Sequence, residues 1–313
     1  MEERERSGMM VMPAYGSGAM PTVWQPQDLH ELSELRNRLQ GRYCYTAGGT
    51  LLRTQWEGGL VASPEHLICL SKLPGVSDIY AEEQQLVIGA LTHLNSCEAD
   101  TLMAYFPLLQ EAIRVIAAPS IRNVATLGGN IVSGVGDTIP ALLVYDAQLC
   151  WMTDRGLEIC SLASWLSGGQ DGRRNPEDVL VSIHLPMQDK DSLAVDMDHH
   201  SPYMKEISYY RKLGRRETFS ASLVTVAMHG EIGVDGRWKR IAIAAGGGSG
   251  MAMRLPLCEK LLLDEVASVG QAAVLASMVM TEFVTYGDAF ASERYRKQTA
   301  GNLLAAGLWE AMN

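Results

Sequence analysis

The sequence predicts an α+β protein: helices and strands mixed over the first two thirds, then a small antiparallel sheet with helices. Three observations predict it. Leu29, Leu32, Leu35 and Leu39 recur at helical spacing near the start. A series of short apolar runs between turns reads as strands in the middle and rear. No regular βαβαβ alternation runs through the 313 residues, which disfavours a doubly wound nucleotide-binding sheet.

In chain order, residues 1–20 read as a flexible tail, charged with both signs and then rich in Met, Gly and Ala. Residues 26–40 form a helix that Gly41 stops. Residues 42–46 form a strand running into a Gly-Gly turn, and the turn-rich residues 72–83 precede a strand at 85–91. Residues 98–117 are the next helix, ended by Pro119. Strands follow at 148–152, 180–185, 207–213, 223–228 and 240–244, and helices at 256–286 and 292–312 close the chain. The polar, acidic residues 191–202 read as a linker. The expected division is therefore 21–190, with lobes of about 21–75 and 76–190, and 203–313.

Composition excludes several classes. A net charge of −10 disfavours nucleic acid as a partner. No apolar run reaches the length of a membrane span, and the charged start is not a secretory signal. The six cysteines are scattered without a C-x-x-C pair, which argues for reduced, buried thiols in a cytoplasmic protein and against a metal or iron–sulfur site in this chain.

The most informative feature is an internal echo. Residues 46–50 read TAGGT and residues 126–130 read TLGGN, both of the form T-x-G-G-T/N. Paired glycines let the backbone turn sharply and approach a ligand closely. Successive N–H groups in such a turn make an anion nest. Two nests could close on one pyrophosphate without a Rossmann helix; the alternative is a pair of ordinary tight turns.

The flanks make the echo specific. IRNVATLGGNI (residues 121–131) and TAGGTLL (46–52) resemble the two FAD motifs of the flavoprotein subunits of the xanthine dehydrogenase and carbon monoxide dehydrogenase family of molybdenum hydroxylases. VLVSIHLP (179–186), YYRKLGRRETFSASLVTVAM (209–228) and SERYRKQTAGNLL (292–304) resemble later segments of that family in the same order. Leu51 stands where the family often has Asp or Ser.

The resemblance implies a two-lobed FAD-binding domain of the PCMH/vanillyl-alcohol-oxidase-like type, followed by a C-terminal domain of the CO-dehydrogenase flavoprotein type. It implies that Ala47, Gly48, Gly49, Thr50, Leu51 and Leu52 wrap the FAD pyrophosphate. Thr126, Gly128, Gly129, Asn130 and Ile131 would form the opposing loop. Asp137 would accept from the adenosine ribose, Leu180 would lie beside the flavin, and Arg211 would sit near the flavin's pyrimidine edge, where a cation stabilises the anionic reduced ring. The implied partners are a molybdenum–pterin large subunit and a small subunit with 2Fe-2S clusters. Electrons would pass through FAD to NAD or another acceptor, with xanthine in purine catabolism the expected substrate class.

Other signals are weaker. GGGSG at 246–250 is not G-x-G-x-x-G and lacks a following βαβ unit. His199 and His200 beside Asp196 and Asp198 read as solvated rather than metal-binding. No catalytic residue set is recognisable, which fits an electron carrier. The competing readings are a self-contained FAD oxidoreductase of related fold and a flavin-free scaffold; flavin content and co-purifying subunits separate them.

Overall fold

Leu32, Leu35 and Leu39 are buried on one face of the first helix, α1 (Leu29–Leu39), and build the core of the first lobe with Ile68. The Asp28 carboxylate accepts from the Glu31 N–H at 2.8 Å, and the Glu31 carboxylate accepts from the Gln27 N–H at 2.7 Å, a reciprocal cap that fixes the helix start. At the other end Gln40 and Gly41 both take positive φ. The helix connects β1 (Thr22–Trp24) to β2 (Tyr43–Thr46), and both pair parallel to β3 (His66–Cys69) in the order β1-β3-β2. A second helix, α2 (Thr50–Glu57), follows the first glycine turn. This computed structural model describes residues 20–168, 175–187, 203–216, 221–248 and 250–312. All of the predicted tail but residue 20, the whole predicted linker and the His199–His200 pair lie outside the described residues.

The second lobe is an antiparallel sheet, β4-β5-β8-β6-β7, from β4 (Ile79–Glu82), β5 (Gln85–Gly89), β6 (Gln148–Thr153), β7 (Gly156–Ser161) and β8 (Val179–Pro186). Short helices pack on it: α3 (Leu94–Ala99), α4 (Pro107–Arg114), α5 (Pro119–Arg122), α6 (Leu127–Val132), α7 (Ile139–Val144) and α8 (Leu162–Leu166). The helix expected at 98–117 is thus divided. Asp100 accepts from the Leu102 N–H and caps a short 3-10 segment, Thr101–Tyr105, and Pro107 opens α4. Pro119 begins α5 rather than merely ending a helix, because a first-turn position needs no N–H.

The C-terminal domain is a four-stranded antiparallel sheet, β12-β11-β10-β9, made of β9 (Tyr203–Gly214), β10 (Ser222–Gly233), β11 (Trp238–Gly246) and β12 (Met253–Arg254). The helices α9 (Pro256–Leu262), α10 (Gln271–Glu282) and α11 (Glu293–Met312) bury Leu262, Leu275, Val279, Leu304 and Leu308 against one face. Each such side chain contributes about 1.5–3 kcal/mol. The helix expected at 256–286 is two helices, parted where Asp264 takes φ 64°. The other face of the sheet presents Tyr210, Ala227, Ala242 and Ala244 to the core of the second lobe. The glycine-rich run has a packing reason. A Cβ on Gly248 would stand 1.6 Å from Nη1 of Arg296, which is fully buried and bound to the Leu223 carbonyl and to Asp288. No helix among the described residues is long and apolar enough to cross a membrane.

Candidate functional site

Strand β2 delivers the chain into the first glycine turn. Thr46 accepts from the Leu70 N–H at 2.9 Å, and Gly49, with φ 65°, becomes the N-cap of α2. An ideal Cβ on Gly48 would lie 2.0 Å from the Val124 carbonyl oxygen and 3.1 Å from the Ala125 Cα. Only glycine lets this turn sit against the residues leading into the second motif. The first echoed segment is therefore in direct contact with Val124 and Ala125, the residues just before the second.

The N–H groups of Gly48, Gly49, Thr50, Leu51 and Leu52 find no acceptor among the described residues; the Arg53 N–H is the first to bond back, to the Gly49 carbonyl. A helix start with open donors attracts an anion, through both the donors and the helix dipole. Around the two turns Leu51, Val124, Val132 and Val135 remain exposed, an apolar surface suited to an aromatic ring.

The second turn is arranged differently. Leu127 donates to Thr92 O, Gly128 to Ala90 O, Gly129 to Thr126 Oγ1 and Asn130 to Thr126 O, at 2.8–3.1 Å. The nest expected there is absent, because its donors are satisfied within the chain. A Cβ on Gly128 would meet the Ala90 carbonyl oxygen at 2.6 Å, so this glycine serves close packing. Asn130 Oδ1 accepts from the Thr138 N–H at 3.2 Å and hydroxyl at 2.6 Å. The Asn130 amide nitrogen has no partner among the described residues. Ile131 is buried in the core that also holds Leu127 and Leu180.

Asp137, expected at a ribose, is held by Lys212 at 2.6 Å, with both side chains largely buried. Lys212 also donates to Val115 O at 3.0 Å, and the Tyr210 hydroxyl donates to Asp137 O at 2.9 Å. Burial, with Asp137 and Glu111 nearby, pushes the Tyr210 phenol well up, so it stays a donor. Arg211 is half-exposed over the Tyr209 ring, 2.9 Å from Glu111 and 3.6 Å from Glu310. Burial pushes the Glu111 carboxyl up against the opposing pull of Arg211. Leu180 lies buried on β8, opposite Trp151. The residues of the first turn and the entry to the second are thus brought together, whereas Asp137, Leu180 and Arg211 have partners within the protein.

Two further residues emerge. Lys212, which the sequence offers only as part of a basic cluster with Arg211, Arg215 and Arg216 that reads as a solvated face, is buried against Asp137. Arg122, not singled out from the sequence, is buried in the IRNVATLGGNI motif. Strand parity was the available signal for Lys212, since it shares a face with the buried Tyr210. A separate small crevice, lined in part by Tyr145, Glu206, His229 and Arg240, lies away from the glycine turns. It carries none of the echoed motifs. Among the described residues no group of His, Cys, Asp or Glu is arranged to hold a metal.

An N–H row without acceptors at the start of α2, beside a Cβ-free contact with Val124, is chemistry suited to a phosphate-bearing ligand. Residues 17–188 match the family described as the FAD binding domain in molybdopterin dehydrogenase, and residues 208–311 match the CO dehydrogenase flavoprotein C-terminal domain. The chain belongs to this family of FAD-binding subunits of molybdenum hydroxylases. The xanthine dehydrogenase FAD-binding subunit of Escherichia coli is 25% identical over 230 residues, covering 72% of this chain and 73% of the relative. The carbon monoxide dehydrogenase medium chain of Hydrogenophaga pseudoflava is 41% identical over 128 residues, 40% of this chain and 45% of the relative. A solved structure of reconstituted CO dehydrogenase from Oligotropha carboxidovorans has the same fold, with TM-score 0.81 at 20% identity over 94% of this chain and 98% of that one.

Proposed function

We propose that the chain holds FAD with its pyrophosphate on the N–H row of Gly48–Leu52 and passes electrons from a partner's 2Fe-2S clusters to a diffusible acceptor such as NAD. The single observation that carries this is the open donor row at the start of α2, seated against Val124. When bound, FAD supplies the exchange between one-electron and two-electron steps. The chain's own work is to bind and orient it. The first turn donates to the phosphates, Ala47 and Thr50 flank them, and the second turn (Thr126, Gly128, Gly129, Asn130 and Ile131) braces the first, with the Asn130 amide as a further donor. Asp137, Leu180 and Arg211 shape the surroundings through Lys212, the second-lobe core and Glu111.

Substrate oxidation belongs to a molybdenum–pterin large subunit, with xanthine as its substrate; the likeness to the Escherichia coli subunit supports this. A second reading, carbon monoxide as substrate, is favoured by the higher identity to the Hydrogenophaga chain over a shorter stretch. The free state of all six cysteines supports a reducing, cytoplasmic setting. The test is to purify the chain with its partner subunits, record its visible spectrum, and add xanthine, carbon monoxide or NADH in the absence of oxygen. Flavin bands that bleach with xanthine and with NADH are expected. Bleaching by carbon monoxide alone would transfer the substrate reading, indifference to NADH would remove NAD as acceptor, and a colourless complex that takes up no FAD would remove the proposal.

A further inference from the structure

Helix α4 ends at Arg114, and the last carbonyls of a helix have no donors within it. Here the carbonyls of Arg114 and of the three residues that follow are all taken by cations. Arg122 Nη1 lies 3.3 Å from the carbonyl oxygen of Arg114, 3.0 Å from that of Ile116 and 3.3 Å from that of Ala117, and Lys212 Nζ takes the remaining one, Val115, at 3.0 Å. The Arg122 Nε faces Glu98 at 3.5 Å, and Lys212 is anchored by Asp137. One cation comes from the flavin domain and the other from the C-terminal domain. With every carbonyl of residues 114–117 captured, Ala117 is held at φ 44°, a region that residues with a side chain seldom occupy. The N–H groups of Ala117 and Ala118 find no acceptor among the described residues.

The captured segment leads straight into α5 and then to Val124 and Ala125, the backbone against which Gly48 is pressed with no room for a Cβ. We infer that Arg122 and Lys212 are positioning residues of the flavin site: together they fix residues 114–118, and through α5 the seat of the first glycine turn. The inference rests on the proposed FAD site. A guanidinium reaches several carbonyls from one rigid plane, whereas an ammonium is a single compact donor head. Lysine in place of Arg122 therefore keeps the charge beside Glu98 but loses part of the carbonyl set.

The test uses the full chain, stripped of flavin and titrated with FAD by quenching of flavin fluorescence. The visible circular dichroism of the bound flavin and the melting temperature of the flavin-free protein are recorded alongside. Arg122→Met is expected to weaken FAD at least tenfold and to change the flavin dichroism. Arg122→Lys, the variant that carries the test where Arg122→Met does not fold, is expected to recover part of that loss. Lys212→Met is expected to weaken FAD severalfold. Variants that bind FAD with wild-type affinity and dichroism, and lose only melting temperature, would show that the two cations serve stability alone and would overturn the inference while leaving the FAD site standing. Wild-type protein that takes up no FAD would overturn both.

Discussion

The two glycine turns share a sequence pattern and differ in what their backbones do. In the first turn the N–H groups of residues 48–52, at the head of an eight-residue helix, find no acceptor among the described residues. At residues 126–130 the same pattern heads a six-residue helix whose donors go to Thr92, Ala90 and Thr126. Gly48 is small so that another chain segment can reach it; Gly128 is small so that it can reach Ala90. One turn leaves its donors open and the other spends its own within the chain. A repeated sequence pattern therefore fixes neither the backbone geometry nor the use of its donors: Gly49 takes φ 65° and caps α2, whereas Gly128 and Gly129 lie within α6.

The strongest challenge to this division is Gly48→Ala. A Cβ placed 2.0 Å from the Val124 oxygen forces the turns apart, and overpacking of this kind costs about 1–3 kcal/mol. Applied to the bound state, the upper end corresponds to about 100-fold weaker FAD binding, read by fluorescence titration. Gly128→Ala should reverse the emphasis. The clash with Ala90 is expected to destabilise the protein by about 2 kcal/mol in thermal or urea unfolding, with FAD affinity of the folded protein changed less than in Gly48→Ala. Equal effects of the two variants on affinity would erase the distinction. A smaller loss, about 1 kcal/mol of stability, is expected for Thr126→Ala, which strips the cap from α6 and leaves the Gly129 N–H without its acceptor.

The smallest effect on flavin binding concerns pH. Burial holds the His229 imidazole below its usual range, aided by Arg240 and opposed by Glu206 and Glu231. The folded state thus favours neutral histidine. Its contribution to stability is complete above the unfolded value of about 6.5 and is lost as pH falls from there toward the lower folded value. Melting temperature should decline over about pH 7 to 5, and His229→Gln should flatten that decline. FAD affinity should stay level over the same range, because the donors of the first turn are backbone N–H groups that do not titrate.

Much of this was legible in the sequence. Helix α1 announces itself through Leu32, Leu35 and Leu39, and the glycine echo locates both turns. The short elements were not legible: α2, α6 and α7 span one to two turns, and β3 only four residues, too little for a periodic signal. The break at Asp100 and Pro107 lies inside a run whose apolar spacing reads as one helix. The different use of the two turns could not be read, because it depends on the carbonyls of Ala90 and Thr92, which pairing of distant segments brings into place. Arg211 drew attention as a cation near the site, yet Lys212 is the buried one, a difference that alternation along β9 decides.

Backbone hydrogen exchange on the full chain, with and without FAD, tests the central claim most directly, since exchange reports where each N–H finds an acceptor. The account predicts that the amides of residues 48–52 exchange rapidly in the flavin-free protein and become protected when FAD is added, while those of residues 127–130 are protected in both states. Protection of residues 48–52 without FAD, or FAD-dependent protection confined to residues 127–130, would contradict it.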